Sequence, residues 1–225
     1  MDDLDRKAFG GLLRMILILA GLIFLPAWTV RYWQGWLCLF LFFACASGIT
    51  LYLMKYDPML LKRRMSAGAN AETRKSQKII QTLSATAFIA LFVVPAFDHR
   101  FVWSLVPAYA VIAGDALIVL GFAIVFWVFK VNTFTSGIIE VAVEQTVIST
   151  GPYGLVRHPM YLGALIMLLG IPIALGSWWG MISLVPMTAV LVWRLLDEEV
   201  FLARNLPGYV EYKEIVRYRL APFIW

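Results

Sequence analysis

Charge is scarce in this chain. Asp, Glu, Lys and Arg make up 15% of its 225 residues, while 61% are hydrophobic. A soluble domain is about a quarter charged and about half apolar, so a soluble globular fold is excluded. Histidine and cysteine number only two each, and no zinc-ligand spacing, glycine-rich phosphate loop or nucleic-acid motif occurs. Cys38 and Cys45 lie seven apart in one apolar run. That is too far along a helix for a disulfide, whose Cα atoms lie within about 7 Å, so both read as small core residues. The first apolar run has no small-residue cleavage site after it and is too long for a signal core, so it reads as a retained span.

What the chain has instead is length of hydrocarbon. Mean hydropathy is +0.80, and apolar runs cover Leu12–Thr29, Trp33–Met54, Ile79–Phe97 and Pro107–Phe129. A hairpin follows, Pro159–Leu175 and Trp178–Leu196, turned at Gly176-Ser177. Crossing about 30 Å of hydrocarbon takes about 20 helical residues. The pattern therefore predicts an all-α integral membrane fold of about six transmembrane helices, the first hairpin arm being short, with a C-terminal helical lid. One domain is expected over 1–225, with N-terminal spans in 1–131 and the chemistry in 132–225. Six spans put both termini and the 55–78 and 130–158 loops on one side, together with every Lys and Arg except Arg31 and Arg100. The positive-inside rule then makes that side cytoplasmic. The net charge of +5 points to membrane lipids and not to nucleic acid.

Two stretches between the spans carry their own signals. Asp57-Pro58 reads as an N-cap and first helical turn. Met59, Leu60, Leu61 and Met65 interleave there with Lys62, Arg63 and Arg64, as in a short helix lying among headgroups. Ser66–Lys78 reads as a solvated connection without a catalytic role. Asp115, inside the fourth span, is expensive at that depth. It either contacts a proton or substrate or, as expected here, makes an inter-helix hydrogen bond beside Gly114 and Ala116.

Chemistry gathers in two polar knots. The first is the run from Gly151 to Gly163, GPYGLVRHPMYLG. Pro159 suits the first turn of a helix, with His158 near the cap and the helix's free N–H groups favouring an anion. Gly163 removes a side chain one turn in, and Tyr153 and Tyr161 offer ring faces and hydroxyls. The same residues also suit a positive anchor, Arg157 and His158, with interfacial tyrosines. The second knot holds Arg194, Asp197, Glu198 and Glu199. Arg194 and Glu198, four apart, could pair on a helix, whereas adjacent Glu198 and Glu199 cannot share a face. One is expected to point outward and the other into the bundle. Beyond them Pro207-Gly208 breaks the helix, Tyr209, Tyr212 and Val216 recur on one face, and Arg217–Trp225 returns to the interface as lid or anchor.

Arg157-His158-Pro159-x-Tyr161-x-Gly163, Glu198-Glu199-x-x-Leu202 and Tyr209-x-x-Tyr212-x-x-x-Val216 together resemble the isoprenylcysteine carboxyl methyltransferase and phospholipid methyltransferase family. The resemblance spans about Asn132 to Trp225. It implies S-adenosyl-L-methionine in a cytoplasm-facing pocket and a lipophilic acceptor, small molecule or lipid, entering from the bilayer. By that resemblance the cofactor contacts are Gln145, Thr146, Val147, Ile148, Tyr153, His158, Pro159, Met160, Tyr161 and Glu198, with Gly163 in the same pocket. An arginine before the double glutamate serves the acceptor in relatives. Arg194 is its nearest match, with Arg217 and Arg219 as further candidates. The tail is also similar to membrane sterol reductases, which makes an NADPH-dependent reductase the alternative enzyme. A non-catalytic membrane protein is the alternative from another class.

Overall fold

The computed structural model is all-helical and describes residues 3–225 apart from 67, 69, 71, 73 and 143. Its helices are α1 (Asp3–Ala27), α2 (Trp33–Tyr56), α3 (Pro58–Met65), α4 (Lys75–Phe101), α5 (Ala108–Val131), α6 (Pro159–Ala174), α7 (Leu184–Asn205) and α8 (Tyr209–Ile215). Short 3-10 turns at Gly151–Gly154 and Trp179–Ser183 lead into α6 and α7. Among the described residues, five helices are long and apolar enough to cross a membrane, with Trp179–Asn205 counted as one. The sixth expected crossing is α6, whose 16 residues extend about 24 Å at 1.5 Å each. The outward faces are apolar too, with Leu17, Leu25, Phe40 and Val185 all more than half exposed. Such a surface needs lipid against it.

Local chemistry explains the helix boundaries. The Asp57 carboxylate caps α3 by accepting from the Leu60 amide at 2.9 Å, and Pro58 occupies the first turn. Helix α4 starts at Lys75, earlier than the apolar run predicts, because Lys75, Gln77 and Lys78 favour helix and give its first turn a polar face. Part of the expected Ser66–Lys78 connection is therefore helical, and part lies outside the described residues.

Two contacts bring the chemically loaded segments together. The first is a glycine seam between α5 and α6. A Cβ on Gly114 would sit 2.4 Å from the Ala174 nitrogen, and one on Gly121 would sit 2.5 Å from the Gly163 carbonyl oxygen. These backbones touch, which only glycine permits, and packing rather than hydrophobic exclusion holds helices together in lipid. Gly163, expected at the pocket, is here instead, its own Cβ position 3.0 Å from the Gly121 oxygen and from Ile124. Asp115 is a second correction. It is buried, but neither carboxylate oxygen has a hydrogen-bond partner among the described residues. Gly114 faces the seam, and one residue on, about 100° around the helix, no donor reaches the carboxylate.

The second contact locks the far end of the bundle. Asp98, buried on α4, accepts from the Ser104 amide at 2.7 Å and the Ser104 hydroxyl at 2.6 Å, and also from the Ser177 hydroxyl. The Tyr32 hydroxyl donates to the Leu175 carbonyl, and its ring stacks on His99. Together these pin the Gly176-Ser177 turn, where Gly176 has φ +70°, and so set where the hairpin arms return. Trp28, Trp103, Trp178 and Trp179 stay exposed around this end, as an interfacial aromatic belt does.

Gly121→Ala is expected to lower stability by about 1–3 kcal/mol, the usual cost of overpacking, read as the midpoint of thermal unfolding in detergent. Gly48→Ala, whose Cβ would meet nothing within 4 Å, should leave that midpoint unchanged or slightly raised.

Candidate functional site

At the end of the bundle where α6 begins and α7 finishes, a cavity of about 750 Å³ opens between the helices. That is the size of a small-molecule site. Its polar limb is built from both knots and the loop before them. Gln145, Thr146, Val147 and Ile148 line it, as do Tyr153, His158, Pro159, Met160, Tyr161, Arg194 and Glu198. Of the cofactor-pocket residues expected from the sequence, Gly163 is the one that the lining omits. An apolar limb runs on between α1, α2 and α5, past Leu12, Met15, Ile49, Leu53 and Phe122.

The Tyr161 hydroxyl joins the knots. It donates to Glu198 Oε2 at 2.6 Å and accepts from Arg194 Nε at 3.1 Å. Arg194 and Glu198 therefore meet through this phenol and form no direct ion pair among the described residues. The carboxylate partner of Arg194 is Glu72, at 3.1 Å, and its other bonds go to Gln77 Oε1 at 3.0 Å and the Gly137 carbonyl at 3.2 Å. Gln77 in turn donates to Asp197, which also holds Arg74 at 3.0 Å. Glu72 and Gln77, in the stretch expected to be solvated, are thus both buried against Arg194.

Glu199 is buried behind this wall. Its Oε1 accepts from Arg157 Nε at 2.7 Å and lies 3.2 Å from His158 Nε2, and its Oε2 accepts from Arg219 Nε at 3.0 Å. Arg157 also donates to the Val216 and Arg217 carbonyls, and the Arg157 and His158 amides donate to the Tyr218 and Arg219 carbonyls, each at 2.9 Å. Both glutamates thus point inward, one to the cavity and one to the tail, where one was expected to face out. Arg219 is engaged on Glu199, and neither it nor Arg217 lines the cavity. The His158 amide is also taken. Pro159 has no N–H, so the first-turn donors left without an intrahelical acceptor are the Met160 and Tyr161 amides.

The tyrosines of this limb are buried or half-buried. Tyr153 accepts from Asn132 Nδ2 at 2.9 Å, and burial pushes its phenol up to about 12. The Tyr212 hydroxyl donates to the Tyr153 carbonyl at 2.7 Å. Burial also raises the Tyr209 phenol, whose oxygen is buried without a partner among the described residues, as is the Thr135 hydroxyl; both residues line the cavity.

Sequence reasoning missed Arg64, which turns from α3 into the cavity wall instead of out to headgroups. Its Nη1 donates to the Ser136 carbonyl at 2.5 Å, and it makes no ion pair among the described residues. The guanidinium lies 5.3 Å from the Phe129 ring centroid, and burial pushes its pKa down. Arg64 and Arg194 bond consecutive carbonyls, Ser136 and Gly137, which brings two cations to one rim. Nothing in a run of three basic residues says which one faces inward. Among the described residues no cluster of His, Cys, Asp and Glu could hold a metal ion.

Comparison with known proteins adds one finding. Residues 109–207 match the family model described as phospholipid methyltransferase, the membrane methyltransferase family that the motifs resemble. No curated protein matches the chain.

Glu199→Ala would leave Arg157 buried without its counter-charge, a change that typically costs about 3–5 kcal/mol. A large drop in the thermal midpoint is expected, while Glu198→Ala, at the cavity wall, should unfold close to the parent.

Proposed function

From a membrane chain whose residues 109–207 match a methyltransferase family, we propose that it transfers a methyl group from S-adenosyl-L-methionine to a lipophilic acceptor drawn from the bilayer. The observation that carries this reading is a single cavity with a polar limb built from both knots and an apolar limb between α1, α2 and α5. A donor with nucleoside and amino-acid parts suits the first limb, and a hydrocarbon acceptor suits the second. The same reading faces the cavity to the cytoplasm, where the basic residues gather.

The residues fit the cofactor. Glu198 is a carboxylate at the cavity wall, suited to an amino group. The Met160 and Tyr161 amides at the start of α6 suit a carboxylate, a role that His158 leaves to them because its own amide bonds Arg219. The Tyr209 and Thr135 hydroxyls, without a partner among the described residues, suit the ribose or base. Bound there, the cofactor would supply a methyl group on a sulfonium whose positive charge disappears on transfer. The protein must therefore hold that charge weakly, because tight binding of the ground state would slow the step. Tyrosine faces attract a cation without fixing it in an ion pair, and Tyr153, Tyr161 and Tyr209 all line the limb.

The remaining residues position the reactants and exclude water. Arg194, held by Tyr161, Glu72, Gln77 and Gly137, presents a fixed cation to the acceptor's polar head, with Arg64 beside it. Holding donor and acceptor in line accounts for most of the acceleration. The tail, bonded across Arg157 and His158, fixes the start of α6 at the cavity wall. Arg194 therefore takes the acceptor role expected for an arginine before the double glutamate.

Calorimetry on the detergent-purified protein tests this reading. S-adenosylhomocysteine should bind and NADPH should not, and binding of NADPH alone would overturn the proposal. Glu198→Ala should weaken S-adenosylhomocysteine at least tenfold. Arg64→Gln should leave that affinity intact and raise the apparent KM of an active acceptor.

A further inference from the structure

A second hollow, of about 360 Å³, lies on the other side of Glu199 from the main cavity. Leu196, Val200 and Ala203 form its floor and Arg204, Lys213 and Arg219 its rim, and Glu199, already bonded to Arg157 and Arg219, also lines it. The floor residues recur at i, i+4 and i+7 along α7, one continuous helix face. Leu196 is 39% and Val200 50% exposed, which is unusual in a segment otherwise dense in charge. The rim is cationic in excess. Arg204 and Lys213 make no ion pair among the described residues. Arg219 shares Glu199, which already faces Arg157. That bond uses Arg219 Nε and stations the guanidinium against Trp225, 5.2 Å from its ring centroid. Glu211 and Glu214 are on α8 but do not line the hollow.

Height along the bundle narrows the occupant. The apolar run of α7 ends at Leu196, and the hollow begins there, where a spanning helix meets the headgroups. The tail that carries Arg219 also carries Phe223 and Ile224, 87% and 84% exposed, side chains that need lipid around them. An apolar strip leading up to three cations is complementary to one molecule already present in the bilayer. Its acyl chain lies along hydrocarbon and its phosphate meets the cations.

We propose that this hollow between α7, α8 and the tail is a binding site for an anionic phospholipid, with the headgroup phosphate held by Arg204, Lys213 and Arg219 and an acyl chain along Leu196 and Val200. The site is separate from the main cavity and does not depend on the methyl-transfer reading.

Native mass spectrometry of the full-length protein in detergent tests the site, with phosphatidylglycerol and phosphatidylcholine titrated separately. Phosphatidylglycerol should be retained at lower concentration than phosphatidylcholine. The double variant Arg204→Gln/Lys213→Gln should weaken phosphatidylglycerol about thirtyfold, or about 2 kcal/mol at 1.4 kcal/mol per decade, without moving the thermal midpoint. Val200→Gln, which keeps all three cations, should weaken phosphatidylglycerol as well, because the acyl chain loses its floor. Equal retention of the two lipids overturns the proposal. So does a double variant that binds like the parent, or a Val200→Gln variant with unchanged retention. Displacement of the lipid by a short poly-glutamate peptide would assign the rim to an acidic protein partner instead and would equally overturn it.

Discussion

A buried carboxylate gripped by two arginines and a histidine organises the functional end of this molecule. Glu199 sits on a helix that elsewhere faces hydrocarbon, and its charge is held there only because Arg157, His158 and Arg219 converge on it from two other segments. Removing one partner from such a cluster costs far more than the cluster contributes over an apolar equivalent. The arrangement therefore acts chiefly as a register device. It fixes the start of α6, the last turns of α7 and the C-terminal tail in one relation, and the cavity wall is built on that relation.

The rest of the bundle serves the same end by a different physics. Lipid provides little hydrophobic drive between helices, so close backbone contact has to hold α5 against α6, and glycines on both sides of the seam allow it. At the opposite face, Asp98 and its serine donors hold the hairpin turn. With one end pinned and the seam tight, the start of α6 has little freedom. Tyr161 can then reach Glu198 and Arg194 together. The glycine seam and the far-end lock are structural, but they place a phenol to within hydrogen-bonding tolerance.

Much of this was legible in the sequence. Apolar runs announced the long helices, since hydrocarbon thickness sets helix length and leaves few alternatives. The Asp57-Pro58 cap follows from local backbone chemistry. The two polar knots stood out because such residues are rare beside lipid. What stayed hidden depends on rotation and on distant contacts. Gly163 sits one turn into α6, and whether it faces the pocket or α5 turns on an angle that one glycine does not encode. Arg64 is one of three basic residues in a row, and only the packing of Leu60 and Leu61 selects it to turn inward. Glu72 and Gln77 read as solvated because their partner, Arg194, lies more than a hundred residues away.

By itself the sequence determined that the chain is helical and membrane-embedded, and that its polar chemistry lies at the ends of its last hairpin. Those are consequences of composition and period, which every residue in a run reports together. Tertiary structure decided which glutamate faces the cavity and which is buried in the tail's ion cluster. It also decided that Arg194 answers to Glu72, and that Arg64 joins the rim. Each of these rests on a single side chain meeting a partner from another segment. Low dielectric makes such a meeting strong only when the geometry is complete, and geometry on that scale exists only once the helices are assembled.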